Sequence, residues 1–255
     1  PLAIFTNLCK ILGGNLMKKS IMDVHCHTLI SGHAHSTFKE NVEEASKKNI
    51  KYLGISDHGP NMPGGPHPFY FYNLHLLPRE VQGVKILRGI EGNIMDYNGN
   101  LDVQEDMLQH LDYIIASLHR PCIASGTKEE NTNAILKVMD KPKVKIIGHP
   151  DDSRYPLDYE PIVKKAKDKN ILLEINNSSL SSNSHRTGTW ENVSHMLTLC
   201  KTYGARVILG TDSHICYSIG EFEKAEKVLE AVDFPDELVI NYHEDEIIEF
   251  FDINF

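Results

Sequence analysis

Histidines and carboxylates at short spacing are the residues in this chain that could do chemistry. The segment Asp23-Val24-His25-Cys26-His27 sets two imidazoles two residues apart. On an extended backbone, residues i and i+2 point to the same side, so His25 and His27 can reach one cation while Cys26 turns the other way, toward packing. Asp212-Ser213-His214 repeats that spacing far along the chain. Between the two come Ser56-Asp57-His58-Gly59, Gly89-Ile90-Glu91, Ser117-Leu118-His119 and Gly148-His149-Pro150, with His33 and His35 following the first pair. Imidazole and carboxylate together suit zinc, manganese or iron. A single HxH is weak evidence, and a protein that merely capped a rim with polar residues would offer Asn, Ser and Thr. Here the recurring residue is histidine, 14 of 255.

What must position these residues is a set of short apolar runs, each ending just before one of the motifs. The runs are Ile21–Val24, Tyr52–Ile55, Val84–Ile90, Tyr113–Ala116, Val144–Ile147, Ile171–Ile175 and Val207–Leu209. Each is nearly continuous in its hydrophobicity, as expected of a strand buried on both faces. Amphipathic stretches alternate with them at Thr37–Lys48, Thr132–Met139, Glu160–Lys169, Glu191–Tyr203 and Glu221–Ala231, and Glu244–Phe251 closes the chain. Alternating β and α elements imply a parallel sheet with right-handed crossovers. Seven units predict an α/β fold of the distorted (β/α)7 barrel type, TIM-barrel-like, with an open doubly wound sheet as the alternative. Barrel enzymes gather their active sites at the C-terminal ends of the strands, which is where the motifs fall.

Composition narrows the partners. The formal net charge of −9 disfavours a scaffold for long nucleic acid. No apolar run is long enough to span a bilayer. Five scattered cysteines without CxxC spacing read as reduced thiols, so a cytoplasmic location is expected. The apolar N-terminal stretch lacks the shape of a signal peptide. Residues 1–19 read as an extension, non-native or loosely ordered, ahead of a single domain over 20–255, with Met17-Lys18-Lys19 resembling a natural start.

These motifs, in this order, resemble the PHP (polymerase and histidinol phosphatase) family. Ser56-Asp57-His58-Gly59-Pro60, Ile86-Leu87-Arg88-Gly89-Ile90-Glu91, Leu173-Glu174-Ile175-Asn176-Asn177-Ser178-Ser179 and Gly220-Glu221-Phe222 are similar to its YcdX-type phosphatases, over residues 20 to 252. The resemblance implies the (β/α)7 barrel and a trinuclear metal centre. One metal would take His25, His27, Glu91 and Asp212. A second would share Glu91 and add His119 and His149. The third would take His33, His58 and His214. Three divalent ions, zinc first and manganese or iron as alternatives, would then support hydrolysis of a small phosphomonoester by a metal-bound hydroxide, with Glu91 and Asp212 holding it. No serine nucleophile is needed, and Ser117 and Ser213 read as packing or hydrogen-bonding residues.

Around this set lie weaker candidates. His67 sits in the Pro- and Gly-rich loop 60–71 as an acid or phosphate contact. Family members usually carry Trp-His-Phe near here, where this chain has Phe69-Tyr70-Phe71, and this leaves substrate choice open. Arg120 could grip phosphate bidentately or form a surface ion pair. Asp57 reads as orienting an imidazole, and Glu174 as either a supporting acceptor or a structural one. His35, His75, His110, His185, His195 and His243 have no assigned role. The competing readings are a PHP-type phosphodiesterase or nuclease, an amidohydrolase-type metalloenzyme and a non-catalytic metal-binding module. A small phosphorylated substrate is the expected partner, with a homo-oligomer compatible.

Overall fold

In the computed structural model, residues 18–252 are described. The proposed extension over residues 1–19 thus lies almost wholly outside them. Eight strands form one sheet: β1 (Met22–Asp23), β2 (Tyr52–Ile55), β3 (Glu80–Val81), β4 (Val84–Asn93), β5 (Tyr113–Ser117), β6 (Val144–Ile147), β7 (Leu172–Asn176) and β8 (Val207–Gly210). Seven of them run parallel in the order β1-β2-β4-β5-β6-β7-β8, and β3 forms an antiparallel hairpin with β4. The helices are α1 (Phe38–Lys47), α2 (Phe69–Tyr72), α3 (Lys128–Val138), α4 (Tyr159–Lys169), α5 (Thr189–Tyr203), α6 (Glu223–Ala231) and α7 (Glu244–Phe251). The seven-unit barrel is therefore present, and it is irregular. β4 pairs with β2 through Lys85–Arg88 and with β5 through Gly89–Asn93, and the crossover between β4 and β5 holds 3-10 turns at Glu105–His110 instead of an α-helix.

Alternation along the strands sorts the core into two clusters. Tyr113 and Ile115 of β5 join Leu87, Ile146, Leu172 and Ile208 inside the barrel, and α7 closes its floor with Ile247, Phe250 and Phe251. Ile114, Ala116, Leu173, Ile175 and Leu209 face the surrounding helices instead. Tyr113 fits inside because β2 and β4 carry glycine opposite it. An added Cβ at Gly54 or Gly89 would lie 2.1 or 2.3 Å from Tyr113 side-chain atoms. α1 and α3 each open with a capping box, Thr37 with Glu40 and Thr127 with Glu130, which satisfies backbone N–H groups that have no intrahelical acceptor.

The seam between β1 and β8 is joined differently from every other pair. No ladder connects the two strands; an isolated bridge links Cys26 to Ser213, and His27 N–H donates to Ser213 C=O at 2.8 Å. Lower down, one buried side chain spans the gap. Asn241 donates from Nδ2 to Met22 C=O at 3.1 Å and to Leu209 C=O at 3.0 Å, and accepts from Leu209 N–H at 2.8 Å. Its own carbonyl accepts from Ile21 N–H. A side-chain amide thus makes the bonds that a strand edge would otherwise supply.

Candidate metal centre

The ends of six parallel strands deliver their side chains to one rim, and three local devices aim them. Met22 and Val24 face the barrel interior while Cys26, of the same parity, packs outside. The alternation therefore slips after Val24, and that slip turns His25 and His27 inward together. His149 would follow Ile147 outward, but its backbone sits at φ 28°, and Asp212 at φ 53°. Non-glycine residues in this left-handed region cost on the order of 1–3 kcal/mol, a strain typical of functional positions. Gly210 supplies the third device. A Cβ there would fall 2.0 Å from Glu174 Oε1 and 3.1 Å from the His25 Cβ, so only glycine lets that pair close.

The nine expected ligands come together. His25 Nε2 lies 3.3 Å from Glu91 Oε1 and 3.6 Å from Asp212 Oδ1. His27 Nε2 lies 3.6 Å from Glu91 Oε2 and 3.2 Å from Asp212 Oδ1. A tetrahedral zinc with bonds of about 2.0–2.1 Å separates its ligands by roughly 3.3–3.4 Å, so these four side chains already have the spacing of one coordination shell. His119 Nε2 and His149 Nε2 approach Glu91 Oε1 at 3.2 and 2.9 Å. His33 Nε2 stands 3.2 Å from His58 Nε2 and 3.0 Å from His214 Nε2. The division into three sets is not unique: His27 also groups with His58 and His214, and His25 with His149 and Asp212. The donors form one continuous cluster, with Glu91 fully buried at its centre.

The protons around these rings point away from the cluster. His25 Nδ1 donates to Glu174 Oε1 at 2.6 Å, His119 Nδ1 to Asn93 Oδ1 at 2.7 Å, and His214 Nδ1 to the Asp212 carbonyl at 2.9 Å. His27 Nδ1 donates to Ser31 Oγ at 3.2 Å, because the Ser31 hydroxyl gives its own proton to Asp57 Oδ1 and accepts from His58 N–H. Each of these four imidazoles, when neutral, then presents the Nε2 lone pair inward. Lone pairs facing carboxylate oxygens repel unless a cation lies between them. Three buried atoms carry the same message: His25 Nε2, His58 Nδ1 and Glu91 Oε2 have no hydrogen-bond partner. His58 Nδ1 and Glu91 Oε2 are 2.6 Å apart but do not meet in hydrogen-bond geometry. Orphaned buried polar atoms are rare, and a shared ion is one of the few ways to satisfy them together.

The electrostatics agree. Burial, then the neighbouring His58 and His214, hold His27 well below the usual imidazole range, and burial brings His119 down to about 4. Both rings are neutral at pH 7, as ligands must be. Burial also pushes His25 down, but Glu174, Glu91 and Asp212 outweigh it and hold this ring well above its ordinary value. The field at that point calls for positive charge. Glu91 and Asp212 are penalised by burial, yet the surrounding histidines, with Arg186 beside Asp212, keep both well below the usual carboxylate range.

Several supporting residues were not apparent from sequence. Asn93 fixes His119, and Arg186 places Nη1 and Nη2 each 3.2 Å from Asp212 Oδ2 while Nη1 donates to Ser179 Oγ at 2.9 Å. Glu174 proves a double support, since Oε2 accepts from His149 N–H at 2.7 Å. Asp57 acts on the imidazoles through Ser31 rather than directly, and accepts from Thr28 N–H and from the Thr28 and Tyr70 hydroxyls as well. His67 is exposed on its loop with Nδ1 accepting from Phe69 N–H, and it does not line the mouth above the cluster. Arg120 and His185 line a cleft of about 330 Å³ that opens beside the cluster. His35 remains exposed, with its backbone N–H on the His214 carbonyl.

Comparison with known proteins gives this arrangement a context. Residues 23–249 match the PHP domain. A protein of Clostridium novyi described as a probable phosphatase is 51% identical over 91% of this chain and 94% of its own length. A probable phosphatase of Clostridium acetobutylicum is 49% identical over the same shares. The structure of histidinol phosphate phosphatase from Lactococcus lactis, complexed with zinc, L-histidinol and phosphate, superposes with a TM-score of 0.59 at 21% identity, covering 86% of this chain and 95% of that one. At that identity the likeness is one of fold.

Proposed function

The chain belongs to the PHP domain family, and on that premise we propose that it is a metal-dependent phosphatase acting on a small phosphomonoester at a centre built for three divalent ions. The reading treats residues 20–255 as a single domain. It is supported by its phosphatase-named relatives across nearly their whole length. The observation that carries it is the inward convergence of His25, His27, His33, His58, Glu91, His119, His149, Asp212 and His214, with unpartnered atoms at the centre. Such a set of nitrogen and oxygen donors fits zinc first, and manganese or iron also. Divalent ions held together there would lower the pKa of a coordinated water and neutralise phosphate oxygens.

The protein's own residues do the rest. Glu91 offers two oxygens to different histidines and would hold ions with both. Asp212 is shared between His25, His27 and Arg186, so it ties the ligand cluster to a guanidinium that can meet a phosphate oxygen. Asn93, Glu174 and Ser31 hold the rings in the orientation that keeps their lone pairs inward. Among the described residues no cysteine joins the converging ligand groups, and Ser31, beside His27, gives its hydroxyl proton to Asp57, which favours direct attack by water.

The test is metal analysis combined with phosphate release. The purified protein is expected to hold about three divalent ions per chain and to release phosphate from small monoesters in preference to diesters. Glu91→Gln is expected to lose both bound metal and turnover. Fewer than two tightly held ions, with no phosphate released from any ester, would refute the proposal. Faster cleavage of a diester would favour the phosphodiesterase reading instead.

A further inference from the structure

Resting on the phosphatase reading, we propose that the substrate carries a second anionic group, a carboxylate or another phosphate, and that Arg120 and Arg154 bind it in the cleft beside the metal centre. The chain has six arginines among its 26 basic residues. Three of them, Arg120, Arg154 and Arg186, line this one cleft of about 330 Å³, and no lysine does. Such a gathering on a chain of net charge −9 is not expected from composition. Arginine is also the residue whose planar fork matches carboxylate and phosphate, whereas lysine offers a point charge.

The cleft is continuous with the mouth over the metal cluster. His119, Pro121, Arg186 and Asp212 line both spaces. A phosphate seated at the cluster, against His33, His58 and His214, would direct the rest of its molecule past Arg186 into the cleft. The carboxylates facing the cleft are Asp152 and Asp212, and they account for two of the three arginines. Arg186 is engaged by Asp212. Arg154 donates from Nε to Asp152 Oδ2, leaving Nη1 without a bond among the described residues. Arg120 is exposed and has no hydrogen-bond or ion-pair partner there. One full positive charge and one free guanidinium edge therefore face a space that adjoins the reaction centre. A pocket of this size holds a molecule of several carbons and not an inorganic ion alone.

The experiment pairs substrates that differ only in the second charge. 3-Phosphoglycerate is compared with glycerol 3-phosphate, and fructose 1,6-bisphosphate with fructose 6-phosphate, using metal-replete enzyme. The expected result is a kcat/KM at least tenfold higher for the doubly anionic member of at least one pair, arising mainly from KM. Which pair responds distinguishes carboxylate from phosphate. Arg120→Gln and Arg154→Gln are expected to reduce that preference ratio about tenfold. Arg120 gives up no internal contact, so its variant separates binding from folding, and an unchanged thermal melt checks this. Equal kcat/KM within both pairs, or a preference that survives both substitutions, would overturn the second-anion site while leaving the phosphatase intact. Failure to release phosphate from the doubly anionic compounds while other monoesters are cleaved would likewise overturn the second-anion site, and only inactivity on every ester with fewer than two ions held would sink both readings.

Discussion

Every imidazole of the centre with an assigned proton is held by its far nitrogen, and this makes the supports as consequential as the ligands. Glu174 accepts from the ring of His25 and from the backbone of His149. An amide there cannot keep both contacts with the same geometry. Glu174→Gln is therefore expected to weaken zinc binding by about 10–100-fold, the usual cost of losing an outer partner, as measured by titrating metal into the stripped protein. The nine metal-ligand candidates were legible because imidazole and carboxylate recur at strand ends, a pattern that packing alone does not demand. The supports were legible in part: Asp57 and Glu174 stood beside the motifs, whereas the others gave little sign. Asn93 and Ser31 are ordinary polar residues whose roles depend on neighbours 26 and 4 positions away. Arg186 had a weak signal, an arginine in the loop after β7 at the rim where such barrels work.

At the scale of elements, the strands were readable and their departures from regularity were not. The seven apolar runs mark the parallel strands closely. The slip after Val24 and the left-handed backbone at His149 are set by packing and by the cluster itself, so no local sequence rule announces them. One missed boundary did have a signal. α3 starts at Lys128, four residues before the stretch expected from its apolar periodicity, because Thr127 and Glu130 form a capping box. Thr127→Ala is expected to cost about 1 kcal/mol of stability, read from urea denaturation. Gly89→Ala should cost more, about 1–3 kcal/mol, since the new methyl meets the Tyr113 ring inside the barrel. Metal analysis of the folded variants should show the stoichiometry unchanged in both.

For the whole molecule, the centre sets a tension between folding and function. Glu91, Asp212, Glu174 and Asp57 are buried close to one another or to the same rings, and two candidate ligands, His149 and Asp212, sit on strained backbone. Ions that bind only the folded state offset this by mass action, by about 2.7 kcal/mol at a free concentration one hundred times Kd. Stripping the metal with a chelator is therefore expected to lower Tm by about 5–10 °C, using roughly 2–4 °C per kcal/mol for a chain of this size. Re-adding zinc should restore it. A melt that chelation leaves untouched would show that the protein alone stabilises its cluster.

Asn241 gives the fold an order in time. It follows all eight strands in the sequence, yet it joins the first of them to the last. During synthesis the seven staves can assemble edge by edge, and Ser213 can join the rim of the seam through its backbone, but the lower seam stays open until this amide has been made. His25 and His27 lie on one side of that seam, and Asp212 and His214 on the other. A ribosome-bound intermediate arrested before residue 241 would consequently hold its two sets of ligands together by the Ser213 bonds alone, and full metal affinity would arrive only with the last helix.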